Sequence, residues 1–249
     1  MKLDFKTDAG IGIRATLGTI VLSTDETLEP EFARMTALDG VALYHSRIPM
    51  VAEIKADTLQ QMERDLPASA QLLPKSLDFD VIGYGCTSAA TVIGQEGVAR
   101  AINSVFPHAK VTDPLTALIA AANALGAKRL GFITPYIPDV SMRMRLKLEE
   151  AGFEIAAFGS FEETDDRVVA RISPTSIATA IDRVAAQTGC DAIVVACTNL
   201  RCLGVIEAAE HRTATSVISS NQALAWHMLR LAGVTDQKNG LGQLFKRDL

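Results

Sequence analysis

The segment Gly189-Cys190-Asp191-Ala192-Ile193-Val194-Val195-Ala196-Cys197-Thr198-Asn199 carries an unbroken apolar run, with no polar alternation, that ends on a cysteine. An apolar run this short, rich in β-branched residues, reads as a strand buried on both faces, as in parallel sheets covered by helices. The residues before it read as a helix over 174–188. Ser173 can cap the free amides, Pro174 suits the first helical position, and Ile177, Ile181 and Val184 recur at helical spacing. Gly189 stops that helix. Working outward, the same alternation covers the chain. Strands are expected at Leu17–Leu22, Val41–His45, Asp80–Gly85, Leu130–Thr134, Glu154–Phe158, Asp191–Ala196 and Ser216–Ser219. Helices are expected at Leu28–Leu38, Thr58–Asp65, Pro114–Leu125, Val140–Glu150 and Gln222–Ala232. Alternating strand and helix units of this kind mean an α/β fold.

A repeat refines the architecture. Asp80-x-Ile82-x-x-x-Cys86-Thr87 recurs as Asp191-x-Ile193-x-x-x-Cys197-Thr198, and Leu17-Gly18-x-Ile20 recurs as Leu130-Gly131-x-Ile133. Repetition at half the chain length predicts two pseudosymmetric lobes, each a parallel sheet flanked by helices, with an active site in the cleft between them. The expected division is an N-terminal lobe over 1–113, to which part of the C-terminal segment returns, a second lobe over 114–233, and a tail over 234–249.

Composition narrows the partners. The chain has 249 residues, 48% hydrophobic and 21% charged, with a net charge of −5 and 5% aromatics. A net acidic chain with few stacking residues is a poor binder of nucleic acid. Met1 to Ala15 carries Lys2, Asp4, Lys6, Asp8 and Arg14, without the apolar core of a secretory signal. The longest apolar stretch, Leu115 to Leu125, is too short for a membrane span. A cytoplasmic protein is expected, with a small molecule or a second copy of itself as partner. In that compartment thiols stay reduced, so the four cysteines are not a disulfide framework.

Cys86 and Cys197 each follow a buried strand and precede a polar turn, where a helix start would favour a thiolate. Cys190, and Cys202 in an early helix, read as packing residues. No Cys-x-x-Cys occurs, so no zinc site is expected. His45, His108, His211 and His227 show no motif that links one to either cysteine, which disfavours a Cys/His hydrolase. Two thiols on opposite faces of a substrate suit one chemistry well. One removes a proton beside a carboxylate and the other returns a proton from the opposite side. Donors must then hold the developing enediolate, and Thr87, Ser88, Thr198 and Asn199 offer them.

These residues resemble the aspartate/glutamate racemase superfamily, and within it the branch of maleate cis–trans isomerase and arylmalonate decarboxylase. The likeness rests on Gly85-Cys86-Thr87-Ser88, Ala196-Cys197-Thr198-Asn199-Leu200, Thr134-Pro-Tyr136-Ile-Pro-Asp139-Val140 and Val217-Ile-Ser-Ser220. It extends from Leu17 to Gly233. It implies a cofactor-free, metal-free enzyme, commonly a homo-oligomer, with Cys86 and Cys197 as catalytic thiols. Thr87 and Ser88 would cradle an anion, and Tyr136 would hydrogen-bond a substrate carboxylate. Racemases use both cysteines. The isomerase uses one as nucleophile and the other for protons, and the decarboxylase keeps only the second, so Cys86 argues against plain decarboxylation. One position departs from the pattern. Where the isomerase branch carries a substrate-binding asparagine, this chain has Asp25, in a loop resembling that of racemase-like proteins associated with ectoine breakdown. Asp25 would repel a carboxylate and accept an ammonium, or it would cap the helix entering at Thr27–Glu29.

The first expectation is therefore a racemase-like isomerase of a small carboxylate or an acidic or diamino-type amino acid. A maleate isomerase with a nucleophilic cysteine, an arylmalonate-type decarboxylase and a non-enzymatic metabolite sensor that closes on its ligand are the alternatives.

Overall fold

In a computed structural model the protein is described over residues 1–50, 56–187 and 189–249, with 56–60 as backbone. Two parallel four-stranded sheets carry the molecule. The first comprises β1 (Ala15–Leu22), β2 (Val41–Ile48), β3 (Val81–Gly85) and β4 (Lys110–Thr112), in the order β2-β1-β3-β4. The second comprises β5 (Arg129–Tyr136), β6 (Glu154–Glu163), β7 (Ala192–Val195) and β8 (Ser216–Ser219), in the matching order β6-β5-β7-β8. The helices are α1 (Leu28–Met35), α2 (Ala56–Ala70), α3 (Thr87–Ile93), α4 (Gln95–Asn103), α5 (Pro114–Ala124), α6 (Pro138–Glu150), α7 (Asp166–Val169), α8 (Pro174–Ala185), α9 (Ile206–Thr213) and α10 (Ser220–Leu231). None is long and apolar enough to cross a membrane.

The sequence repeat is a repeat of register. Leu17 pairs with Val81 in the first sheet, and Leu130 pairs with Ala192 in the second, at the equivalent positions. The repeated aspartates do equal work: Asp80 Oδ2 accepts the N–H of Thr16, and Asp191 Oδ2 accepts the N–H groups of Lys128 and Arg129, each at 2.8 Å. Those amides begin β1 or lead into β5, so the carboxylate satisfies donors that the ladder leaves open. The repeated glycines are packing requirements. A Cβ on Gly18 would stand 3.1 Å from both Leu73 and Phe79, and one on Gly131 would stand 2.5 Å from Val184.

The differences from the sequence expectations lie mostly at element ends and in short elements. Helix α1 stops at Met35, α2 runs on to Ala70 through Pro67, and β6 extends to Glu163. Helix α8 is capped by Ser173 as anticipated and ends at Ala185; its expected end at Thr188 lies outside the described residues. Helix α3 starts in the turn after Cys86, where a helix start is expected, whereas the short β4, α4, α7 and α9 are not among the expected elements, each being too short to show a clear period. Helix α10 packs against β3, β4, α1 and α5, and so covers the first sheet although it follows the second. Residues 234–249 fold back with Leu244 and Phe245 fully buried. The indole of Trp226 and the guanidinium of Arg230 donate to the carbonyl of Arg247 at 2.9 and 3.0 Å.

Candidate active site

Both strand-end cysteines line one small cavity, with Leu22, Met50, Ser88, Tyr136, Asp166 and Thr198. Its volume is about 10 Å³, room for roughly one water. Met50 also lines an open groove of about 490 Å³ that reaches the surface through Ser23, Arg47 and Gln61. The larger groove of about 520 Å³ along β6 and α8 has no cysteine among its described lining residues.

Cys86 ends β3 and serves as the N-cap of α3, its Sγ accepting from the N–H of Ala89 at 3.4 Å and lying 3.5 Å from Ser88 Oγ. The two donors favour a thiolate, but burial outweighs them: the thiol is 2% exposed and its pKa is pushed up to about 11. Cys197 ends β7, and here no helix follows directly. The chain turns through Thr198–Val205 before α9 begins at Ile206, so the expected helix start at this cysteine is replaced by a turn. The N–H of Asn199 donates to Cys197 Sγ at 3.3 Å, and it and the nearby Tyr136 hydroxyl pull the thiol's pKa down. Burial and the nearby Asp166 charge still hold Cys197 well above the ordinary thiol range. Cys202 sits in that same turn, not in a helix, and is fully buried. Cys190 packs beside Gly131.

The remaining expected site residues divide into two groups. Ser88, Tyr136 and Thr198 reach the cavity. Thr87, Asn199 and Asp25 do not line it; they hold its walls. Thr87 Oγ1 pairs with Ser220 Oγ at 2.9 Å, tying α3 to α10. Asn199 spends its side chain on neighbouring loops, with Oδ1 accepting from Glu26 N at 2.9 Å and Nδ2 donating to the Asp166 carbonyl at 3.0 Å. Asp25 Oδ1 accepts from the N–H groups of Thr27 and Leu28 at 2.8 and 2.7 Å, the capping role weighed for it from sequence. Its Oδ2 is buried without a partner, and burial raises its pKa.

Three further residues matter here. Asp166, the first residue of α7, puts a carboxylate on the cavity wall and accepts from Thr24 Oγ1 at 2.6 Å. Burial raises its pKa as well. Glu31, buried on α1, accepts from the N–H of Leu203 at 2.8 Å and from Asn221 Nδ2 at 2.9 Å; Asn221 Nδ2 in turn donates to the carbonyl of Thr198 at 2.7 Å. Glu31 thus buttresses the turn that carries Cys197. In sequence these residues sit in unremarkable polar stretches, and no spacing links them to a cysteine.

The comparisons agree with this geometry. The family model described as arylmalonate decarboxylase matches residues 96–245. A maleate isomerase of Nocardia farcinica is 27% identical over 252 residues, covering 96% of this chain and 98% of that one. An arylmalonate decarboxylase of Bordetella bronchiseptica is 26% identical over 249 residues, covering 92% and 96%. Among solved structures, a cysteine variant of the maleate isomerase Iso from Pseudomonas putida, crystallised with maleate, superposes with a TM-score of 0.84 at 26% identity over 93% of this chain and 97% of that one. Two cysteines at equivalent strand ends, a twofold-repeated parallel sheet and these likenesses place the chain in the arylmalonate decarboxylase family, within the maleate isomerase branch of the aspartate/glutamate racemase superfamily.

Proposed function

We propose that the protein is a cofactor-independent isomerase that moves a proton at the carbon beside a carboxylate, with Cys86 and Cys197 as the acid–base pair. The observation that carries this reading is the convergence of both thiols on one cavity. In the forward step the thiolate of one cysteine takes the α-proton. The C–H bond breaks, an S–H bond forms, and the electron pair enters the carboxylate as an enediolate. The other cysteine gives its proton to the opposite face and becomes the thiolate, so the two exchange protonation states. Ser88, Thr198 and Tyr136, which line the cavity, would donate to the substrate oxygens. A cavity of one water's volume cannot hold even a four-carbon acid, so turnover would require the wall to open, and Met50 lines both this cavity and the outer groove.

The test is deuterium incorporation at the α-carbon of single enantiomers of aspartate, glutamate and 2,4-diaminobutanoate, with inversion followed by chiral chromatography. Both Cys86→Ser and Cys197→Ser should lose inversion, while one of them keeps exchange on a single face. Normal inversion by both variants would sink the proposal.

A second reading is favoured by the likeness to maleate isomerases. The Nocardia farcinica enzyme has also been solved as a variant with a covalently bound succinylcysteine intermediate. In that mechanism one thiolate adds to the double bond of maleate and rotation precedes its departure. Conversion of maleate to fumarate, with a matching mass adduct on one cysteine, separates it from proton transfer.

A further inference from the structure

Asp166 is an odd residue to find in a site meant for carboxylates. Its carboxylate shares the cavity wall with Cys86 and Cys197, it is 4% exposed, and one oxygen is held by Thr24. Its backbone carbonyl accepts from Asn199 Nδ2, and Oδ1 of the same side chain accepts the N–H of Glu26 in the loop of Asp25. Asp25 adds a second buried acid beside it, whose Oδ2 has no partner. Among the described residues no Lys, Arg or His lines the cavity. The arginines of the flanking segments are committed elsewhere: Arg167 to Asp165, Arg171 to Glu26, and Arg47 to Glu29 and the carbonyls of Leu22 and Asp25. A diacid entering here would meet like charge on Asp166 with no cationic side chain among the described lining residues to offset it, an unfavourable encounter at a few ångströms in a site of low polarity. An ammonium would meet the opposite. It supplies the positive charge that the lining lacks, and a cation next to two buried thiols also favours the thiolate that proton transfer needs.

We propose that Asp166 receives the α-ammonium of the substrate and makes this site selective for amino acids over maleate-type diacids. This rests on the two-thiol reading for its location, and it moves the ammonium contact from Asp25, which caps α1, to the acid that lines the cavity.

The test uses the full-length protein and a matched pair of thiol reagents, the cationic aminoethyl and the anionic sulfonatoethyl methanethiosulfonates, with labelling of each cysteine read by peptide mass spectrometry. The cationic reagent should outpace the anionic one at Cys86 and Cys197 by about tenfold relative to the same ratio at Cys190. Asp166→Asn keeps an oxygen for Thr24 and should bring the ratio down to that at Cys190, while Asp166→Glu should retain the preference. An unchanged ratio in Asp166→Asn, a faster anionic reagent in the wild type, or no labelling of either thiol by the cationic reagent would overturn the assignment. Labelling needs no turnover, so it separates the two ideas. Lost charge selectivity in Asp166→Asn alongside normal inversion by both serine variants removes the two-thiol mechanism and leaves Asp166 in place. Unchanged selectivity alongside lost inversion does the reverse.

Discussion

Glu31 offers the most quantitative check on how the Cys197 turn is held. Its carboxylate is 8% exposed, and burial raises its pKa from 4.5 to about 7 against the pull of two hydrogen bonds. A carboxyl whose folded pKa lies above its unfolded value binds more protons in the folded state. Its contribution to stability is therefore full below pH 4.5 and is lost as pH rises through 7. That interval corresponds to roughly 3 kcal/mol between pH 4 and pH 8. Glu31→Gln removes the titration. It keeps one acceptor for Leu203, and it forfeits one contact to Asn221, costing about 1 kcal/mol at acid pH. Urea unfolding measured at intervals from pH 4 to pH 8 should show the wild type losing stability relative to the variant, so that the two curves approach or cross near neutrality. Parallel curves would refute the reasoning, because they would mean that Glu31 does not titrate differently in the folded state. A companion measurement links this to function: the variant should alter labelling of Cys197 more than that of Cys86, since Glu31 supports only the second turn.

Two other outcomes follow from packing. Met50→Ala should open the thiol cavity to the outer groove and accelerate iodoacetamide labelling of Cys86 and Cys197 while leaving the deeply buried Cys202 unchanged; equal acceleration at all three would signal general loosening instead. Gly131→Ala would push a methyl to 2.5 Å from Val184 in the centre of the second sheet, costing on the order of 1–3 kcal/mol in a denaturant titration; a neutral substitution would contradict the close packing of β5 on α8.

Much of the site was legible one dimension at a time. Cys86 and Cys197 could be picked out because a buried strand, a cysteine and a threonine recur together, and both line the cavity. Ser88 and Thr198, read as donors beside the cysteines, and Tyr136, taken from the resemblance, line it too. Thr87 and Asn199 were read as donors from their position beside those motifs, and Asp25, where the resemblance departs, as an ammonium contact or a helix cap; their side-chain bonds run to Ser220, to Glu26 and Asp166, and to the start of α1. Adjacency in sequence fixes where a residue is, not where its side chain points. Asp166 went unnoticed because its partners, Thr24 and the two cysteines, lie far from it along the chain.

The division has a physical basis. Patterns of short range, such as apolar strands, the Ser173 cap and the repeated Asp, Gly and Cys, are set by burial and backbone hydrogen bonding within a few residues or within one strand pair. The sequence alone therefore determined the α/β class, the twofold repeat and the two thiols. What required the tertiary structure was everything that depends on the meeting of distant segments. Helix α10 returns to the first sheet, Glu31 reaches across to Leu203 and Asn221, and a carboxylate lines one cavity with two cysteines whose pKa values burial raises. Charge and solvation at a site are sums over neighbours in space, and those neighbours are chosen only when the chain packs.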